Sequence, residues 1–544
     1  MRNSSKAFVV PKVGRSAFGL IFSIVAPLVS AQPGEAWFGL PLPGPATDQV
    51  IDFGDLDLKR IPAPSVVDAP ELDGEVMLRY VEDIVQFSYA SRDAGDRLWG
   101  RYAGSIHTEN AVKYVAEQLR DAGLAVEERS VRFTRSNHPV EWRVRLLEST
   151  DFGFGSDSVD LASAVPMAVR DSSAGPPGSS SPQEPTVLEG SRSITAPIVF
   201  VGDGSATALT NVDVSGKIAL FVIEAVPSAF YSPSSRRTQN LIEAGAVGTI
   251  GIYDMPGNMQ LYFGGCPANA LCFNVGGEDG GFLRSVIERA FGAGLLDNLR
   301  VELQVNYEPP RELQQPILIS KIAGRDSDEN IVISTHSDSH FAGANDNGSG
   351  MAALIALARH FAKQPQPRHD LYFFLSPGHH DNTGGTASLI EFDPDLPNNN
   401  IILLNLEHLA QAGVYRSYMS WQPDRYERRS PAYVPTNWDS QGREVTLSPM
   451  DSDAIRLAWS DAATLNGFTA PARYLGPAIA EPGAWVAAGG AAIQNVETSP
   501  WFHTTGDVVE TLSAEAIQRA VLFYRDFIDR MNRLSRADVF ADGG

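Results

Sequence analysis

Cysteine is scarce: Cys266 and Cys272 are the only two in 544 residues. That excludes a disulfide-stapled scaffold and any metal site built on several thiolates. Positive charge is also short. Lys and Arg number 43 against 65 Asp and Glu, for a net charge of −22, so neither nucleic acid nor an anionic membrane surface is a natural partner. No apolar run reaches the ~20 residues that span a bilayer, and the run near the N-terminus, Ala17–Val29, has about 13. No segment repeats at a fixed period, which argues against a solenoid or propeller.

What is present divides the chain. Arg2, Lys6, Lys12 and Arg15 precede the short apolar run, and Val29-Ser30-Ala31 follows it with the spacing of a cleavage site. Residues 1–31 therefore read as a signal peptide and the protein as exported, periplasmic or secreted, with no stable membrane anchor. Removing four positive charges and no negative ones takes the mature chain from −22 to −26, which leaves peptides or small molecules as the expected partners. Residues 32–70, rich in Pro and Ala, form an extended lead-in. Helical periodicity starts at Leu72, and residues 71–150 make the first part of a main domain. Residues 151–191 contain DSSAGPPGSSSPQEP and read as a linker. Ala196–Gly202, Lys217–Ile223 and Val247–Tyr253 are buried-strand runs of a β-rich insert over 192–308. An α/β pattern then resumes over 309–544, implying a mostly parallel central sheet flanked by helices. Cys266 and Cys272 lie close together in a Gly/Pro-rich stretch of a chain expected in an oxidising compartment, and a disulfide between them is expected.

The chain is organised around Ile331–Gly350, IVISTHSDSHFAGANDNGSG. Four strand-forming residues run into polar groups, and a Gly/Asn-rich turn then opens a helix with Met351, Leu354, Ile355, Ala358 and Phe361 at helical spacing. In open α/β sheets ligands bind beyond the carboxyl ends of strands, which puts His336, Asp338 and Asp346 where such a fold keeps its chemistry. Asp338, two residues on from His336 in extended chain, points to the same side and can orient the imidazole. Three later strands also lead into polar groups: Leu371–Leu375 into His379-His380, Ile401–Leu404 into Glu407, and Ala491–Gln494 towards His503. His336, Asp346, His380, Glu407 and His503 are thus candidate ligands at one sheet edge, and imidazole with carboxylate is a common zinc donor set.

These stretches carry a resemblance. HSDSHFAGANDNGSG, NLEH and WFHTTGDVVETL resemble the motifs of the cocatalytic-zinc metallopeptidases that include bacterial leucyl aminopeptidases and glutamate carboxypeptidases. The likeness covers about Leu72–Phe133 and Pro309–Leu534. SGKIALF and EAGAVGTIG make the insert similar to that family's protease-associated domain. The resemblance implies a zinc exopeptidase-like fold and one or two Zn2+ ions. It implies that His336 and Glu407 hold one ion, His380 and His503 the other, and that Asp346 bridges them. The departure is His379-His380, which stands where the family has Glu-Glu, general base then ligand. Gly385-Thr386 keep the family spacing from His379, so the histidines and not Asp381 occupy those positions. His379 becomes the expected base.

The leading expectation is an exported zinc-dependent hydrolase of peptide or related amide bonds, an exopeptidase by class. Two alternatives stay open: a catalytically silent member that binds a peptide or protein partner, and a single-zinc amide hydrolase or cyclase outside the peptidases. Residues 411–450, with aromatic and basic groups, are a candidate substrate wall.

Overall fold

Along Asn330–His336, Ile331 and Ile333 point to one side and Val332 to the other, and every residue of the strand is buried. A strand buried on both faces needs helices on both faces. In this computed structural model they are there. The described residues are 36–37, 40–47, 63–147, 158–169, 186–224, 234–326, 328–376, 378–380, 385–417, 432–439, 443–449, 452–468, 481–497 and 499–541. Side chains of 36–37, 41, 234, 413–417, 432–439 and 443–446 fall outside that description.

The central sheet has seven strands. Its middle is parallel: Ala492–Glu497, Asn400–Leu406, Asn330–His336 and Asp370–Ser376 lie side by side in that order. Antiparallel strands close both edges, Arg443–Ser448 at one, and Arg311–Ile322 followed by Val126–Arg135 at the other. Ile331, Ile333, Phe373 and Leu404 pack with the helices Gly74–Asp93, Ile106–Asp121, Gly350–Phe361 and Ala514–Met531. Val332, Phe374, Leu403 and Trp485 form the core on the opposite face. Because the middle strands are parallel, His336, Ser376, Leu406 and Glu497 all end at one edge, and the loops that follow them meet there.

A second sheet of eight strands has Gly277–Gly292 packed in the core on one face and residues from Ser234–Glu243 on the other. It begins earlier than the composition implied. Pro139–Leu146 and Val159–Asp160, assigned from sequence to the main domain and the linker, are its edge strands, and Val165–Pro166 closes the far edge. Pro139–Leu146 pairs with Arg300–Tyr307, a contact across some 150 residues that no local pattern announces. The insert therefore runs from about residue 139 to 307. Cys266 and Cys272 are joined as a disulfide. They sit in short buried strands of this insert instead of an open loop. The leader 1–31 and residues 48–62 and 170–185 lie outside the described residues, and no described helix is long and apolar enough to cross a membrane.

The insert also holds part of that edge of the central sheet. Tyr262 N donates to the carbonyl of His503 at 3.0 Å, Thr505 N donates to Gln260 at 3.1 Å, and the Tyr253 hydroxyl donates to Pro500. The loop that carries His503 is therefore pinned from outside its own domain.

A buried arginine organises the loop after His336. Arg101 is fully buried and donates to Ser88 Oγ (2.7 Å) and to the carbonyls of Ser337 (3.1 Å), Ala342 (2.8 Å) and Gly343 (3.1 Å). Burial lowers its pKa to about 10, against the pull of Asp346, Asp507 and Asp338, so it stays charged at neutral pH. Arg101→Met leaves several buried acceptors unsatisfied at about 1–3 kcal/mol each before relaxation. The expected loss is on the order of 3 kcal/mol, read from the midpoint of urea unfolding. A change too small to shift that midpoint would contradict the role given to it.

Candidate metal centre

The turn after His336 is built to aim Asp346. Asp507 accepts from Asn345 N (2.8 Å) and Asp346 N (3.0 Å) through its two carboxylate oxygens. Asn347 Nδ2 donates to Thr335 Oγ1 and to the Leu406 carbonyl, both at 2.9 Å. Gly350 opens the helix where a Cβ would lie 2.4 Å from Asn347 Oδ1, Leu406 O and Thr335 Oγ1, so only glycine lets the helix start so close to the neighbouring strand.

Four imidazoles converge on Asp346. His336, His380 and His408 bring Nε2 to within 3.4, 3.3 and 3.2 Å of Oδ1, and His503 Nε2 lies 3.1 Å from Oδ2. Yet His336 Nε2, His380 Nε2 and Asp346 Oδ1 have no hydrogen bond partner although all three are buried. Buried lone-pair donors that face one another without a shared proton are what a cation relieves. Glu407 stands alongside, with Oε1 3.7 Å from His379 Nε2 and 3.8 Å from His408 Nε2. Its Oε2 accepts from Asn405 Nδ2 (2.8 Å) and Gln494 Nε2 (2.7 Å). These bonds fix the carboxylate and leave Oε1 towards the imidazoles.

The structure thus brings together all five expected ligands, His336, Asp346, His380, Glu407 and His503, with His379 stacked on His336 at a ring distance of 4.6 Å. The nitrogen and oxygen donors fit zinc or a similar divalent ion. Asp338 acts differently from the expectation. The main hydrogen bond to His336 Nδ1 comes from its backbone carbonyl (3.1 Å), and its Oδ1 is 3.5 Å away. Its carboxylate instead accepts the backbone N–H groups of His379 (3.0 Å) and His380 (2.8 Å), so Asp338 anchors the double-histidine turn. An Nδ1–H donated to that carbonyl leaves Nε2 of His336 as the lone pair facing Asp346.

The electrostatics divide the imidazoles. Burial pushes His340, His380 and His503 below the ordinary imidazole range, whereas, against burial, Asp338 and Asp346 hold His336 well above it and Asp346 with Glu407 holds His408 above it. Burial raises Asp346, but His408, His336 and His503 outweigh it and hold the carboxyl well below its usual range. Glu407 is likewise raised by burial and lowered further by His379, His408 and His336.

Sequence reasoning missed four residues. His340 continues the alternation His336, Asp338, His340 and could have been found by extending it. His408 follows Glu407 directly and by alternation would face away, but a φ of 51° turns it back to the site. Asp507 lay inside the quoted WFHTTGDVVETL motif without a role. Glu481 had no signal: it is buried, accepts from Ser376 Oγ (2.5 Å), leaves Oε2 without a partner, and burial raises its pKa against His336 and His379. The candidate substrate wall, 411–450, lies mostly outside the described side chains; its backbone forms a hairpin of Ala412–Ser417 and Ala432–Asp439.

Comparison with known proteins bears on this arrangement. Residues 318–528 match the sequence profile of Peptidase family M28. An aminopeptidase from Aneurinibacillus sp. strain AM-1 superposes with a TM-score of 0.51 at 18% identity, over 85% of this chain and 94% of that one. BSAP, a zinc aminopeptidase from Bacillus subtilis, gives 0.52 at 16%, over 84% and 94%. A peptidase M28 precursor from Shewanella amazonensis gives 0.55 at 15%, over 84% and 97%. At these identities the likeness shows the fold. No curated protein matches the sequence.

Proposed function

Since residues 318–528 match the profile of Peptidase family M28, we propose that the chain is an exported, zinc-dependent hydrolase of peptide bonds that works with a histidine in place of that family's glutamate base. The observation that carries this reading is the convergence of four imidazoles on Asp346, with His336, His380 and Asp346 offering buried atoms that no hydrogen bond occupies. His336, Glu407, His380 and His503 would hold one or two Zn2+ ions, with Asp346 between them. Bound there, such an ion supplies Lewis-acid polarisation of the scissile carbonyl and acidifies the attacking water.

The chain's own residues do the rest. His379 takes the water's proton at Nε2, the nitrogen that lies on the Glu407 side of the site. Asp338 keeps the 379–380 turn in place through its two backbone bonds, which sets where that nitrogen sits. Arg101 and Asp507 fix the backbone that leads into Asp346. The same proton is then available at His379 for the leaving amine. A peptide or small amide is the proposed substrate; the acidity of the chain disfavours nucleic acid. Export rests on the leader-like residues 1–31, and the insert is proposed as a protease-associated domain.

Exopeptidase action is tested by comparing peptides with free and acetylated N-termini and free and amidated C-termini. Blocking one terminus is expected to abolish cleavage. Equal cleavage of all four forms would point to an internal-bond hydrolase.

A further inference from the structure

His340 belongs to none of the ligand positions above, yet it stands among them. Its ring centroid is 4.3 Å from that of His380 and 4.5 Å from that of His503, and His380 and His503 are 4.8 Å apart. One ring nitrogen from each of these three residues lies within 4.8 Å of the other two. The planes of the other two rings stand at 69° and 85° to that of His340, so neither is stacked on it. We propose that His340 is a ligand of the second cation position, making that position a three-imidazole site of His340, His380 and His503 with Asp346 as its one carboxylate. This rests on the reading of the cleft as a metal centre.

Two features hold His340 for this role. His340 Nδ1 lies 2.9 Å from the Tyr102 hydroxyl. With that nitrogen engaged, the ring is oriented and Nε2 is the one left to ligate, as metal-bound histidines commonly use their second nitrogen for an outer hydrogen bond. The backbone is fixed as well: Ser339 and His340 pair antiparallel with Arg101 and Gly100. Tyr262 of the inserted domain meets the His340 ring edge-on at 4.7 Å and donates its backbone N–H to His503. One tyrosine from the main domain and one from the insert thus pack around the same three imidazoles.

The chemistry explains why a third imidazole is needed. His380 replaces a carboxylate, so the position loses one anion and gains a softer donor. A third nitrogen restores the donor count without restoring the charge. Such a set favours Zn2+, Co2+ or Ni2+ over hard ions such as Mn2+ and Mg2+, which prefer oxygen.

The test is titration of the metal-free, full-length chain with Co2+ and separately with Mn2+, followed by calorimetry and the visible spectrum of bound Co2+. The wild-type chain is expected to bind two equivalents of Co2+ and at most one of Mn2+. His340→Gln is expected to weaken the second Co2+ at least tenfold and leave the first unchanged, and Tyr102→Phe to weaken the second by a smaller factor. Unchanged binding of both equivalents by His340→Gln would overturn the proposal, as would a wild-type chain that takes only one Co2+ unaffected by that substitution. Should His340→Gln not fold, the wild-type comparison decides: two Mn2+ bound as tightly as two Co2+ would overturn a three-imidazole site. If the wild-type chain binds neither ion, the metal-centre reading fails with it.

Discussion

Asp346→Ala is expected to strip the centre of metal more completely than any other single substitution. Two divalent ions sharing one site sit about 3.5–4 Å apart and repel strongly. Asp346 faces His336, His380 and His408 with one oxygen and His503 with the other. It is the one group that both positions share. Removing a buried charge from its opposite partner costs about 3–5 kcal/mol, so affinity is expected to fall by about 10³-fold, and hydrolysis with it. His503→Ala, which touches only one position, is expected to lose about half the metal. Metal analysis after gel filtration separates the cases: equal losses in the two variants would mean a single ion.

His379→Ala and His380→Ala are expected to part ways although the residues are adjacent. Both backbone N–H groups are held by Asp338, so either side chain can be removed without releasing the turn. The His380 side chain is buried, with Nε2 3.3 Å from Asp346, and its loss is expected to cost metal. His379 is partly open, stacked on His336 and aimed towards Glu407. Its loss is expected to leave zinc content nearly intact while kcat drops about 10²–10⁴-fold, the usual worth of a positioned base. Parallel loss of metal in both variants would make His379 a ligand instead of a base.

How much of this was legible in the sequence depends on which interactions are local. The strand–turn–helix at Ile331–Phe361 was legible because a buried strand, a glycine-rich turn and an apolar helical stripe each leave a short-range pattern. His336, Asp346, His380, Glu407 and His503 were legible because each follows a strand that the parallel sheet brings to one edge. His408 was not: its side chain is redirected by a positive φ, which a residue other than glycine or asparagine does not advertise. Arg101 and Glu481 were not legible either. Each reaches the site across more than a hundred residues, and a lone charged residue in sequence looks like surface. The early start of the insert was hidden for the same reason, since Pro139–Leu146 finds its partner only at Arg300–Tyr307. Asp338 was correctly placed, but its hydrogen bonds to the 379–380 backbone belong to a strand that is a neighbour only in space.

The most direct measurement is the metal content of the purified full-length chain together with its turnover of a mixed peptide library, before and after chelation and again after adding zinc back. The expected result is bound zinc, peptide cleavage that disappears with the metal and returns with zinc, and a His379→Ala variant that keeps the zinc without the turnover. Bound zinc with no cleavage of any peptide or amide, and no measurable effect of His379→Ala, would contradict a hydrolase and leave a binding protein built on a peptidase fold.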